Sequence, residues 1–255
     1  MAQRHRIAVV TGAGSGIGAA TAREFGDAGM SVVVADIDGE SAERVAGEIR
    51  SAGGDARHVR MDVTERDGFI AAFAAAESAF GEVDVLVNNA GTGQNGGIRN
   101  ISDKDWERTI AINLNSVFYG CQVAAEAMIP RRRGTIINVA SRAWLGWYGQ
   151  FAYAATKGGV VSATRSLAIE LAKYGVTVNC IAPGLIDTPL VQALDEEVKR
   201  KLLAAQPTGT VGHPRDVAWA ARFLASPGAC GITGQTMYVC GGKSVYATPA
   251  HQGRS

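Results

Sequence analysis

The sequence predicts a single doubly wound α/β domain on a central parallel sheet of about seven strands. Three observations carry this. Short apolar, β-branched runs alternate with helix-length stretches along most of the chain, the order that yields βαβ units. The first runs are continuously apolar, as expected of strands covered on both faces. Neither a Pro- or Ser-rich linker nor an internal repeat divides the 255 residues, so one domain over 1–255 is the economical reading.

The elements follow in order. Residues 6–11 (RIAVVT) read as the first strand and 16–28 as the first helix, with Gly29 as its stop. The β-branched run 31–36 is the second strand, and 40–52 is a helix broken by Gly53-Gly54. Strands are expected at 56–61, 83–87 and 134–139, with helices over roughly 65–80 and 103–129 between them. A helix over about 152–173 leads to the strand 176–181. Beyond Pro183-Gly184 the chain is less regular, with helices near 195–204 and 214–225 and a last strand at 236–239. The polar tail 246–255 is expected to be mobile.

Composition narrows the function. Twenty-five Lys and Arg against 24 Asp and Glu leave a formal charge of +1, without the basic excess of a nucleic-acid binder. The apolar share of 47% is too high for a disordered chain. No apolar run reaches the about 20 residues needed to span a bilayer, and MAQRHR runs into IAVV without an apolar stretch of the length expected of a signal peptide. Cys121, Cys180, Cys230 and Cys240 form no metal-ligand spacing with one another or with His. No metal site is expected, and free packing thiols in a reducing cytoplasm are the expectation. Glycine, at 32 residues, is well above the usual share of about 7%, which points to tight turns and close backbone approaches.

The glycines concentrate where the first strand meets the first helix, in Thr11-Gly12-Ala13-Gly14-Ser15-Gly16-Ile17-Gly18. Such a loop lets backbone amides at a helix start approach a pyrophosphate, the signature of a Rossmann-type dinucleotide site. Two registers fit: Gly14-x-Gly16-x-x-Ala19, or the wider Gly12-x-x-x-Gly16-x-Gly18. Asp36 ends the second strand, 20 residues after Gly16, where a carboxylate accepts hydrogen bonds from ribose hydroxyls and repels a 2′-phosphate. No basic residue stands at Ser15 or Ile37, and Arg23 and Arg44 lie inside helices, away from the strand end. The expected cofactor is therefore NAD. Asp62-Val63 and Asn89-Ala90-Gly91 follow the third and fourth strands, on the ligand-bearing edge of the sheet. Asp62 would meet the adenine, and Ala90-Gly91 would let backbone approach the ribose.

Ser141 follows the fifth strand, and Tyr153 and Lys157 stand four apart on one helix face. A free phenol has a pKa near about 10. A neighbouring ammonium is expected to lower it, making Tyr153 able to exchange a proton with an alcohol near neutral pH. Trp144, Trp147, Tyr148 and Phe151 cluster between Ser141 and Tyr153 and are expected to line an apolar pocket. Arg131-Arg132-Arg133 is expected to be a solvated helix end, and the four histidines have no partner spacing.

TGAGSGIG, NNAG, Asn113, Ser141, YAATK and Pro183-Gly184 together resemble the short-chain dehydrogenase/reductase family over about residues 5–243. The resemblance implies that Tyr153 is the acid/base, that Lys157 tunes it and binds the nicotinamide ribose, and that Ser141 orients the substrate oxygen. It implies that Asn113 supports a water linked to Lys157. The glycine-rich run with Ser15 and Ile17, and Pro183, Gly184, Ile186 and Thr188, would contact the cofactor. Thr188 would meet the carboxamide. It also implies a homotetramer. Ser141 departs from the family by standing one residue closer to Tyr153 than usual. The expected activity is NAD-dependent interconversion of a small secondary alcohol and a ketone. The alternatives are an NADPH-dependent 3-oxoacyl-[acyl-carrier-protein] reductase and a non-catalytic NAD-binding regulator.

Overall fold

Continuous apolar runs become strands buried from both sides. In the computed structural model, which describes residues 5–93 and 97–245, these are β1 (Ile7–Thr11), β2 (Ser31–Asp36), β3 (Ala56–Arg60), β4 (Val85–Asn88), β5 (Gly134–Val139), β6 (Val176–Pro183) and β7 (Thr236–Val239). They form one parallel sheet in the order β3-β2-β1-β4-β5-β6-β7. The tail 246–255 lies outside the described residues.

The period-2 alternation of each strand divides the core. Val9, Val33, Leu86 and Ile136 point to one face and pack on α3 (Arg66–Ala79), α5 (Ser116–Met128) and α6 (Phe151–Ala172). Val10, Val34, Val87 and Ile137 point to the other and pack on α1 (Gly16–Asp27), α2 (Gly39–Ser51) and α9 (Pro214–Ala225). At the β3 edge, three of five residues are exposed, among them Arg57 and Arg60. Charge there discourages edge-to-edge pairing.

Helix ends obey local chemistry. Asp38 caps α2 by accepting from the Glu40 and Ser41 amides, and His213 and Asp216 form a reciprocal capping box at α9. Gly29 closes α1 at φ +76° with its N–H on the Gly26 carbonyl. Short helices α7 (Pro189–Gln192) and α8 (Glu196–Ala204) occupy the less regular region after β6.

One expected element is interrupted. The helix over 103–129 is α4 (Asp103–Ile110), a π-helical turn Ala111–Asn115, and α5. The widened turn carries Asn113, which is fully buried. Its Oδ1 accepts the Thr92 N–H at 2.8 Å and its Nδ2 donates to the Thr92 carbonyl at 3.0 Å. Helix distortions of this type concentrate at functional sites, and this one points a polar side chain at the loop after β4.

The strand order reverses between β1 and β4. In such sheets the crevice for a ligand opens at the carboxyl ends on either side of that point, and the candidate residues lie there.

Candidate active site

The glycine-rich loop adopts the wider of the two registers. Gly12 and Gly16 have φ +61° and +53°, conformations in which a side chain is strained. A Cβ on Gly12 would also sit 2.8 Å from the Ala90 Cα, and one on Gly18 would run into the Gly12 carbonyl oxygen. Gly14 is small for a different reason: its N–H donates to Asp36 Oδ2 at 2.8 Å, and a Cβ would meet that carboxylate. Ser15 precedes α1 but makes no side-chain cap, and the first turn carries no acid. The first-turn amides are thus left for an anion, with the helix dipole favouring it. These features fit a dinucleotide pyrophosphate.

Asp36 is more constrained than its sequence position suggests. Oδ2 holds Gly14 and Oδ1 accepts the Asp38 N–H at 3.0 Å. A carboxylate has about four acceptor sites, so room remains for ribose hydroxyls. Arg44 departs from expectation. It lies in α2, yet its guanidinium reaches the glycine loop, with Nη2 donating to the Gly14 carbonyl at 2.9 Å. Helical position alone hides this contact, because the side chain is long and α2 packs against α1. Glu48 offsets its charge, pairing with Arg44 Nη1 at 2.9 Å and with Arg23 at 2.6 Å.

Asn89 anchors the other side of the loop. Its Nδ2 donates to the Thr11 and Gly12 carbonyls at 2.9 and 3.1 Å. The Thr11 hydroxyl, unremarked in the sequence, accepts the Asn89 and Ala90 amides at 3.1 Å each. Asp62 is exposed at the end of β3, with Oδ1 engaged by Thr64. Val63 packs against the core rather than lining the cleft.

A cleft of about 170 Å³ brings together Ile17, Asn89, Gly91, Ser141, Tyr153, Lys157, Pro183, Gly184, Ile186 and Thr188. Thr92, Leu190 and Val191 also line it; nothing in their residue types marks them beforehand. Thr188 stands over the glycine loop, within 3.4 Å of where a Gly16 Cβ would be. Asn113 lies beneath, reaching the cleft through Gly91, whose Cβ position is 3.3 Å from Asn113 Oδ1 and 3.4 Å from Lys157 Nζ.

Lys157 is buried and donates to the Val139 carbonyl at 2.8 Å. Burial pushes its ammonium down to about 8. Its Nζ is 5.8 Å from the Tyr153 ring centroid. The expected lowering of the phenol by Lys157 is not what this chain by itself shows. Burial pushes the Tyr153 phenol up, and a hydrogen bond with Ser141 pulls it back. That hydrogen bond also shows that the shorter spacing still brings the two hydroxyls together.

The aromatic cluster separates. Trp147 and Tyr148 line a neighbouring hollow, Trp144 packs against the core, and Phe151 stacks on Trp106 at 5.8 Å. Arg131 is not a solvated end: it reaches back to the Val83 carbonyl and pairs with Glu82 at 3.4 Å. All four cysteines are free thiols.

A glycine cradle at the β1–α1 turn, an acid at the end of β2 and a Ser-Tyr-Lys group in one cleft match known proteins closely. Residues 12–244 fit the family profile described as enoyl-(acyl carrier protein) reductase. The chain belongs to the short-chain dehydrogenase/reductase family. It is 42% identical over 97% of its length to the whole of (2S)-[(R)-hydroxy(phenyl)methyl]succinyl-CoA dehydrogenase subunit BbsD from Thauera aromatica. It is 42% identical to cis-4-hydroxycyclohexanecarboxylate dehydrogenase of Sinomonas cyclohexanicum, over 93% of this chain and 96% of that one. A crystal structure of an actinorhodin polyketide ketoreductase variant with NADPH superposes with a TM-score of 0.90 at 35% identity, covering 95% of this chain and 98% of that one. The protein is an oxidoreductase of the secondary alcohol/ketone class that uses a nicotinamide cofactor. Among the described residues, no helix is long and apolar enough to cross a membrane.

Proposed function

We propose that this oxidoreductase oxidises a secondary alcohol with NAD, and runs the reverse reaction, with Tyr153 as acid/base. The observation that carries the reading is the shared cleft of Ser141, Tyr153 and Lys157 beside the glycine cradle. The nicotinamide, when bound, accepts or supplies the hydride. Gly12, Gly16, Ile17 and Gly18 hold the pyrophosphate end with backbone amides. Asp36 takes the adenosine ribose, with the Asp62 side chain and the Val63 backbone, not its core-packed side chain, flanking the adenine. Asn89, Ala90, Gly91, Pro183, Gly184, Ile186 and Thr188 wall the nicotinamide half.

Ser141 orients the substrate oxygen, and Tyr153 takes or gives its proton. Lys157 holds the nicotinamide ribose, and its charge beside the phenol offsets part of the cost that burial puts on ionising Tyr153. Asn113 fixes the loop around Gly91 and Thr92 and lines the route by which protons reach Lys157. The relatives named above act on ring-bearing or aryl-bearing alcohols, which supports a carbocyclic or aryl secondary alcohol as the substrate class. A homotetramer is part of the same proposal, supported by the exposed apolar side chains on α5 and α6.

Asp36 decides the cofactor. A hydrogen bond to a charged group is worth about 1.5–3 kcal/mol. Replacing a hydroxyl by phosphate exchanges that gain for like-charge repulsion, while the helix amides serve both cofactors equally. Arg44 near the loop works against discrimination, but Glu48 already offsets it. The expected preference for NAD over NADP is at least about tenfold in kcat/KM. The test is turnover of a cyclic secondary alcohol with each cofactor, by wild type and Tyr153→Phe. The variant should lose about 10²–10⁴-fold in kcat and bind NAD within a few-fold of wild type. Retention of a tenth of the wild-type rate would remove Tyr153 from its role. Equal use of NADP would favour the second reading, an NADPH-dependent 3-oxoacyl-[acyl-carrier-protein] reductase.

A further inference from the structure

Next to the cleft lies a second hollow of about 300 Å³. The two adjoin at two places where neighbouring residues of the chain are shared between them: Ser141 and Gly184 line the cleft, and Arg142 and Leu185 line the hollow. Consecutive Cα atoms are about 3.8 Å apart, so the hollow begins beside the cleft, and a substrate whose carbinol sits at Ser141 and Tyr153 has Arg142 within the length of a ring.

Arg142 lines this hollow without a charged partner among the described residues. Among the described residues, no carboxylate pairs with it and no carbonyl accepts from it. Arg23, Arg44, Arg50, Arg66, Arg131, Arg133 and Arg222 all have a carboxylate partner. Its guanidinium instead lies 4.6 Å from the centre of the Trp147 ring, a stacking that holds the planar fork in place without using its five N–H donors. It is about half buried, and desolvation lowers its pKa. The hollow also carries Lys243 and the Gln206 amide and, among its described lining residues, no Asp or Glu. A half-buried, stacked, unpaired guanidinium in a hollow without acids is a site arranged for a planar anion.

We propose that Arg142 is a specificity residue that binds a carboxylate on the substrate, remote from the reacting carbon. The inference rests on the alcohol-oxidising reading above and deepens it: the substrate class is a hydroxy acid whose carboxylate sits across a ring or short chain from the alcohol. The carboxylate meets the guanidinium fork while Trp147 and Leu185 cover the apolar span between the two groups.

The test compares 4-hydroxycyclohexanecarboxylate with its methyl ester, measured as kcat/KM in wild type, Arg142→Leu and Arg142→Lys. Wild type should favour the acid by about 10- to 100-fold, the worth of one charge-assisted contact. That ratio should fall to about 1 or below in Arg142→Leu, through KM, and be partly kept by Arg142→Lys, which retains the charge without the fork. Inhibition of wild type by cyclohexanecarboxylate but not by cyclohexanecarboxamide is the companion measurement and needs no variant. A ratio unchanged by Arg142→Leu, or equal inhibition by the two compounds, overturns the proposal. Turnover of the ester but not the acid overturns it while leaving the alcohol-oxidising reading intact. Absence of turnover with every secondary alcohol, together with no inhibition to measure, overturns that reading and this proposal with it.

Discussion

Lys157 shows how function and stability oppose each other at one residue. It is 3% exposed and donates to the Val139 carbonyl, so the fold holds an ammonium largely out of water. Its pKa falls from an ordinary value of 10.5 to about 8. Between those values the unfolded chain binds the proton and the native chain has released it. Stability therefore rises with pH across that window, and below about pH 8 the full burial penalty, about 3 kcal/mol, is present. Lys157→Met removes the penalty and leaves the Val139 carbonyl without its donor. The difference in Tm between Lys157→Met and wild type should be more favourable to the variant at pH 7 than at pH 10, while turnover is lost. Thermal melts at both pH values check this. A difference independent of pH would show that Lys157 is not titrating in the native protein.

At the scale of elements, the glycines separate into those that shape the chain and those that leave room for a ligand. Gly29 and Gly18 bracket most of α1. Gly29 has positive φ and no atom within 4 Å of its Cβ position, so Gly29→Ala meets only backbone strain, about 1–2 kcal/mol. Gly18 has no positive φ, but its Cβ would strike the Gly12 carbonyl and crowd the Asn89 amide. Gly18→Ala must therefore displace the loop held by Asn89, Asp36 and Arg44. The expectation is a lower unfolding midpoint with unchanged NAD affinity for Gly29→Ala, and a loss of NAD affinity of at least about 30-fold for Gly18→Ala. Denaturant melts and a cofactor titration distinguish the two. The π-helical turn belongs at this scale as well: the extra residue in the 111–115 turn is what lets Asn113 hold Thr92 rather than face solvent.

For the whole molecule, the sheet is covered on both sides and yet α5 and α6 leave apolar side chains in water. Phe118 is 60% exposed on α5 and lines a groove with Leu114, Val117, Ile129 and Leu167, and Ile169 is 82% exposed on α6. Isolated exposed apolar residues are ordinary, but an apolar groove shared by two helices suits an association surface. In the proposed tetramer a second copy covers it. Phe118→Glu should shift the protein from its oligomer to a smaller species in light scattering and abolish any dependence of Tm on protein concentration. A monomeric wild type, or an oligomer indifferent to the charge, would refute the tetramer at this face.

Much of this protein was readable from local pattern. Strands buried on both faces give continuous apolar runs, and Gly29 supplies the left-handed turn that stops α1, so the α/β alternation and the end of α1 follow from residue type. The glycine cradle, Asp36 and the Ser-Tyr-Lys set are readable for a related reason: each needs a particular side chain, or none, at a fixed place beside a strand end. What the sequence could not determine depends on distances between segments remote in the chain. The choice of glycine register required the φ angles of Gly12 and Gly16 and the approach of Ala90. Arg44 reaches Gly14 only because α2 packs beside α1, and the aromatic cluster separates because the 3₁₀ turn after Ser141 sends Trp144 to the core and Trp147 to the hollow. Tyr153 and Lys157 are neighbours by helical spacing, but the signs of their pKa shifts are set by desolvation, which depends on everything folded around them. Local chemistry is written residue by residue; burial, and the meeting of Arg142 with an acid-free hollow, exist only once the chain has closed on itself.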